Sequence, residues 1–300
     1  MKIGVIADIH SNHIAFRTCI DFLVDAGCKE FFLLGDFVSD TAGAEETMQE
    51  LYELMDKYPY HILRGNREEY MLSQWNVREK GYEGPRWKIG SASGNLLYTY
   101  ERLAVEDFSF FEKLPNHFKY EYEDYPVITC VHGSPDRTNE LLQLYEDRVK
   151  EVLHELDTDY LIAAHTHFPG QLSYEGKLYA NTGSSGLSIG DPGYAHAIIL
   201  CTETNLNGEH IWKVDNIRIP YDTEPVIRYM FESGLYDYAP WFINNNLHIL
   251  RTGIDLTVEL VETARNLKEA DGEDVIWPDI EEEYFEKAAG IIGLPDYRGR

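Results

Sequence analysis

Seven side chains in this sequence combine ligand chemistry with regular placement: Asp8, His10, Asp36, Asn66, His132, His165 and His167. Carboxylate, imidazole and amide donors of this kind suit divalent transition ions such as manganese, iron or zinc. No thiolate accompanies them, which speaks against a structural cysteine-type zinc site. In extended chain, residues two apart point the same way, so Asp8 with His10 and His165 with His167 can each converge on one point. No single member carries this reading. A lone Gly-Asp or Gly-Asn is ordinarily a turn, and a lone Asp-x-His is ordinarily no site. The weight comes from order, because each group directly follows a short apolar run.

Those runs must be strands if they are to deliver ligands at one edge. Lys2–Ala7, Phe31–Leu34, Tyr60–Leu63, Val127–Val131 and Tyr160–Ala164 read as strands. Asn12–Ala26, Ala44–Lys57 and a stretch around Glu146–Leu156 have apolar residues at helical spacing. Alternation of this kind predicts a largely parallel sheet covered by helices, with ligands at the C-terminal strand ends. From about Gln171 the pattern changes to hairpins, one turning at Glu175-Gly176 and one at Asn207-Gly208. They predict a second, antiparallel sheet, and so an α/β sandwich with helices outside. After Pro220 the chain reads helical again. The expected division is a core over 1–222, with an insertion at about 67–116, and a helical C-terminal extension over 223–300.

Composition bounds the partners. The chain has 300 residues and 26 Lys plus Arg against 52 Asp plus Glu, a formal charge of −26. It lacks the broad basic footprint of a nucleic-acid or anionic-membrane binder, so an anionic substrate needs a local cation cluster or metal ions. No apolar run approaches the ~18 residues of a membrane helix. The four cysteines, Cys19, Cys28, Cys130 and Cys201, are widely spaced and read as buried thiols in a reducing cytoplasm. The acid-rich stretch from Glu269 to Glu283 reads as a solvated linker and helix face. The loop Lys80–Gly94 brings Arg86, Trp87 and Lys88 together. It reads either as a contact for phosphate and base or, more plainly, as a loop with a packed tryptophan.

The ordered set resembles the calcineurin-like metallophosphoesterase superfamily, whose blocks run D-x-H, G-D, G-N-H-D/E, a lone H and G-H-x-H. The resemblance covers about residues 1 to 220. It implies a four-layer αββα sandwich with a dinuclear centre of two divalent ions, manganese or iron before zinc. Carried over by position, Asp8, His10, Asp36 and His167 would hold the first ion. Asn66, His132 and His165 would hold the second, with Asp36 bridging. Asn181-Thr182-Gly183-Ser184 resembles the N-P-G-S block of the small bacterial branch, with threonine for proline. Ser11 and Ala164 replace family glycines with other small residues, and Glu68 matches the acidic position. The implied chemistry is hydrolysis by a hydroxide bridging two metals.

The main departure is Arg67, which stands where the family carries a histidine that contacts phosphate. Arginine stays protonated, so it is a poor general acid and a good clamp for phosphate oxygens. Arg67 is therefore expected to favour leaving groups that need little protonation; the plain alternative is that it points to solvent. Arg137, shortly after His132, is a second expected phosphate contact. The resulting expectation is a cytoplasmic hydrolase of phosphodiester or phosphoanhydride bonds in nucleotides, of the phosphodiesterase or asymmetric diadenosine tetraphosphate hydrolase type. Its partner is a phosphorylated small molecule or nucleotide, with no membrane and no extended nucleic-acid groove; a homo-oligomer stays open. The rivals are a protein Ser/Thr or small-molecule phosphomonoesterase, and a non-catalytic metal-binding scaffold of the same fold.

Overall fold

The computed structural model describes residues 1–298. In chain order the elements are β1 (Lys2–Ile6), α1 (His13–Asp25), β2 (Glu30–Leu34), α2 (Ala44–Lys57), β3 (Tyr60–Leu63), α3 (Asn66–Glu79), α4 (Gly94–Tyr100) and α5 (Val105–Lys113). Then come β4 (His117–Tyr120), β5 (Ile128–Val131), α6 (Asp147–Glu155), β6 (Tyr160–Ala163), β7 (Gly170–Tyr174), β8 (Lys177–Asn181), β9 (Tyr194–Thr204) and β10 (His210–Pro220). The chain closes with α7 (Glu224–Glu232), α8 (Leu235–Tyr238), α9 (Pro240–Thr252), α10 (Thr257–Ala270) and α11 (Glu282–Ile292).

Two five-stranded sheets face each other, ordered β10-β9-β1-β2-β3 and β4-β5-β6-β8-β7. Strand alternation explains why. In β2, Phe32 and Leu34 point into the layer between the sheets, while Phe31 and Leu33 point to the helices outside. All four are fully buried, each contributing about 1.5–3 kcal/mol. The inner layer continues through Ile3, Val5, Ile128, Cys130 and Ile162. Helices α1 and α2 cover the first sheet with Phe16, Leu23, Met48 and Leu51, and α6 covers the second with Val149 and Leu153. The fold is thus a four-layer αββα sandwich with C-terminal helices attached. Those helices enclose their own cores, one around Met230 and Leu247 and one around Leu260 and Phe285.

Sheet membership corrects one expectation. The hairpins do not make a second sheet by themselves. The β9–β10 hairpin extends the first sheet, with β9 antiparallel to β1, and the β7–β8 hairpin joins β5 and β6, where β8 runs parallel to β6. The sheet expected as one is split, β1–β3 lying in one layer and β5–β6 in the other. The edge strand β4 gave no signal, being four residues with one fully buried side chain. Seven of the eight acids from Glu269 to Glu283 are exposed, as a solvated linker and helix face requires, and the stretch is anchored as well. Glu281 binds Lys268 Nζ at 2.8 Å, Glu282 accepts from the Ser91 backbone at 2.6 Å and its hydroxyl at 2.7 Å, and Asp279 pairs with Lys88.

Candidate metal centre

All seven side chains lie just beyond strand ends, where the two sheets meet. Asp8 and His10 follow β1, Asp36 follows β2, and Asn66 follows β3 as the first residue of α3. His132 follows β5, and His165 and His167 follow β6. The turns that present them are strained: Asp8, His10, Asp36, His165 and His167 all have positive φ, between 50° and 68°. Such backbone costs a non-glycine residue on the order of 1–3 kcal/mol each and clusters where function demands it. Gly35 makes the turn before Asp36 feasible. Its φ is +83°, and a Cβ there would come within 2.2 Å of the Gly65 nitrogen.

The side chains gather into two groups, Asp8–His10–His167 and Asp36–His132–His165, in each of which the donor atoms lie within 4.8 Å of one another. Asp36 spans them: Oδ2 is 3.8 Å from His10 Nε2, and Oδ1 is 3.4 Å from His132 Nε2. Asn66 Oδ1 is 3.1 Å from His132 Nε2, which adds it to the second group. Asp8 Oδ1 lies 3.5 Å from His167 Nε2 and 3.8 Å from His10 Nε2.

The fit to cations can be read from atoms that lack other partners. Asp8 Oδ1 is fully buried and has no hydrogen-bond partner among the described residues, a costly state for a carboxylate oxygen. His167 Nδ1 donates to the Leu187 carbonyl at 2.8 Å, and His10 Nδ1 lies 2.9 Å from Asp40 Oδ2. With His167 Nδ1 turned to Leu187 and His10 Nδ1 facing Asp40, the two rings bring their Nε2 atoms within 2.9 Å of each other. Two imidazole nitrogens turned on one another beside a carboxylate are a donor set that would suit a shared divalent cation. His132 is oriented likewise, its Nδ1 donating to the Leu34 carbonyl at 2.7 Å across the sheets.

Electrostatics in the cluster are correspondingly tense. Burial, and then Asp36, push the Asp8 carboxyl up to about 6, although His132 opposes them. Asp36 is held well below the carboxylate range by His132, His10 and Arg67 against the effect of burial. His132 resists burial through Asp36 and rises to about 10, while burial, and then His132, push His165 down to about 4. A divalent cation among these atoms favours ionised carboxylates and neutral imidazoles throughout.

Around the ligands lies a support layer. Glu68, fully buried, accepts backbone N–H bonds from Gly65, Asp36 and Phe37 at 2.7, 2.9 and 2.8 Å. It thereby ties the Asp36 turn to the start of α3. The segment after Asn181 braces the other side: Ser184 Oγ and the Gly186 N–H both donate to the Asp8 carbonyl. Asp40 was not singled out in the sequence. Its carboxylate takes Arg67 Nη2 at 2.7 Å, His10 Nδ1 at 2.9 Å and Asn95 Nδ2 at 2.9 Å, and its carbonyl accepts from Asn246 at 2.8 Å. Arg67 holds its carboxyl at about 2 despite burial. A lone Asp in a Ser-Asp-Thr turn carries no spacing signal; only the fold brings its partners together.

Arg67 does not point to solvent. Its side chain is 22% exposed, the guanidinium is gripped by Asp40, and Nε stands 4.0 Å from Asp36. Arg137 is placed otherwise, on the exposed turn after His132, and among the described residues it makes no ion pair with the cluster. His13 packs edge-on against Tyr229, away from the ligands. In the Lys80–Gly94 loop Trp87 is buried, while Arg86 and Lys88 are exposed.

The fold and this constellation define a metallophosphoesterase. The chain belongs to the calcineurin-like phosphoesterase superfamily, whose domain model matches residues 1–205. It is similar to an uncharacterized protein of Methanocaldococcus jannaschii, MJ0912, with 23% identity over 262 residues covering 83% of this chain and 98% of that protein. Among solved structures it resembles hypothetical protein PH1004 of Pyrococcus horikoshii, with a TM-score of 0.68 and 18% identity over 85% of this chain and 99% of that one. A metallophosphoesterase of Sphaerobacter thermophilus gives 0.61 and 19% identity over 85% and 100%. These likenesses extend past the matched domain into the C-terminal helices. Among the described residues no helix is long and apolar enough to cross a membrane.

Proposed function

We propose that this chain is a dinuclear-metal hydrolase of phosphodiester or phosphoanhydride bonds in nucleotides, working in the cytoplasm. Asp8, His10, Asp36 and His167 would hold one ion and Asp36, Asn66, His132 and His165 the other. Two divalent cations bound there supply an activated water and the positive charge that draws phosphate into an acidic protein. The observation that carries the choice of bond is Arg67. Held by Asp40 beside Asp36, it offers the phosphoryl group a permanent cation and offers the leaving group no proton. Bonds whose leaving group departs as a stable anion suit that arrangement. Arg137, on an exposed turn nearby in sequence, is the proposed outer contact for a longer phosphate chain. The cysteines, free among the described residues, support a reducing compartment.

The test strips the protein with chelator, restores Mn²⁺, and follows products from diadenosine tetraphosphate, bis-p-nitrophenyl phosphate and the alkyl monoester glycerol 2-phosphate by chromatography. Diester or anhydride cleavage faster than monoester cleavage, abolished by Asp36→Asn, is the expected result. Faster monoester cleavage overturns the choice of bond, and metal-loaded protein without turnover favours the scaffold reading.

A further inference from the structure

Beside Arg67 the structure contains a cavity of about 420 Å³ to which no role has yet been given. It lies within the size range of small-molecule sites, roughly 300–1,000 Å³. Three regions distant in sequence build its walls: Tyr70 and Ser73 from α3, Trp87 from the Lys80–Gly94 loop, and Phe242 with Trp277 from the C-terminal part. Its aromatic walls are fixed in place. Gln74 accepts from the Trp87 backbone N–H at 2.9 Å and donates to the Pro85 carbonyl at 3.1 Å, and Trp277 Nε1 donates to the Ala92 carbonyl at 3.1 Å.

The cavity is tied to the metal centre through two of its lining residues. Arg67 and Asn95 both line it, and both bind the Asp40 carboxylate that also faces His10. In a chain with 52 acids, no carboxylate is among the described residues lining this space. Among the described residues Arg67 is its one lining cation. A cationic ligand meets the like charge of Arg67 with no carboxylate to offset it, whereas a neutral planar ring attached to a phosphate finds aromatic faces at one end and a guanidinium at the other.

We propose that this cavity holds a nucleobase of the substrate while its phosphate lies at the metal centre, so that the C-terminal helices form part of the specificity pocket. The assignment rests on the phosphoesterase reading above. It gives the extension a role in choosing the substrate.

Calorimetry on the full-length Mn²⁺-loaded protein tests it with four probes: inorganic phosphate, ribose 5-phosphate, adenosine 5′-monophosphate and octyl phosphate. The nucleotide is expected to bind at least about tenfold more tightly than ribose 5-phosphate, the scale of one stacked base. It should also quench tryptophan fluorescence where ribose 5-phosphate does not. In Ser73→Trp, which fills the cavity from an exposed helix position, and in Trp277→Ala, where the side chain is 45% exposed, that ratio should fall towards one. Equal affinities for the two ribose phosphates in the unaltered protein overturn the base assignment and leave the phosphoesterase reading intact. Tighter binding of octyl phosphate than of the nucleotide overturns it in favour of an aliphatic chain. Failure to bind even inorganic phosphate overturns both.

Discussion

Replacing Asp40 with asparagine isolates the residue that joins Arg67 to the metal centre. The side chain keeps its shape, but one oxygen now serving both Arg67 Nη2 and His10 Nδ1 loses its charge. Breaking a fully buried pair costs about 3–5 kcal/mol. Arg67 keeps roughly a fifth of its surface in water, so about 2 kcal/mol is the expected loss of stability. The more telling effect is on metal. A carboxylate behind a metal-binding histidine fixes the ring and raises its basicity, and losing it typically costs 10–100-fold, about 1.4–2.7 kcal/mol. Because Asp40 faces His10 and not His132 or His165, the loss should fall on one Mn²⁺ binding step. Calorimetric titration of chelator-stripped Asp40→Asn protein reads the two steps separately, and a urea midpoint checks that it is folded. Two unchanged binding steps in a folded variant would refute the positioning role; equal weakening of both would show general loosening instead.

Other perturbations follow from the same contacts. Arg67→His should lower kcat/KM on diesters about tenfold or more while raising the relative rate on alkyl monoesters, read with paired substrates at saturating Mn²⁺. His167→Ala should leave one tightly bound Mn²⁺ per chain by elemental analysis, since it removes a donor from one group only. Gly186→Ala puts a Cβ within 1.8 Å of the Ile9 carbonyl oxygen, so it should lower the urea midpoint and metal affinity together, by displacing the turn that presents Asp8 and His10. Asp191, bonded by Arg218 and His196, is held at about 2, below its ordinary value. Its stabilisation is therefore full above about pH 4 and lost as pH falls towards 2. Allowing for the exposure of Arg218, Asp191→Asn should cost about 1 kcal/mol at pH 7 and about half of that at pH 3, by urea midpoints at each pH.

Local pattern made much of this legible. Helix α2 begins and ends where apolar spacing placed it, with Glu45 and Glu46 in its first turn and Lys57 in its last. Ligand-type residues stood out because each follows a strand, and strand ends are local events. Sheet membership was not local. Whether β9 pairs with β1 or with β8 depends on contacts between residues nearly two hundred positions apart, such as Lys2 with Cys201. The same limit hid Asp40, whose partners stand at positions 10, 67 and 95. It also hid the anchoring of the acid-rich stretch, where Glu282 meets Ser91 across 191 residues.

The C-terminal helices make the choice of perturbation matter. Asn246 of α9 donates to the Asp40 carbonyl, so the extension braces the very turn that orients His10 and Arg67. It also buries Ala42 and Tyr98 of the preceding chain against Val226, Met230 and Leu247. Cutting the chain after β10 would expose that core and release the Asp40 turn at once. Loss of activity in such a fragment could not separate a failed pocket from a failed metal centre. Single substitutions at Ser73 or Trp277 change the cavity and leave the Asp40 bonds in place. Asp40→Asn does the reverse. A nucleotide preference lost in the first pair with both Mn²⁺ steps retained, and one Mn²⁺ step weakened in the last, would show that the extension serves two separable ends.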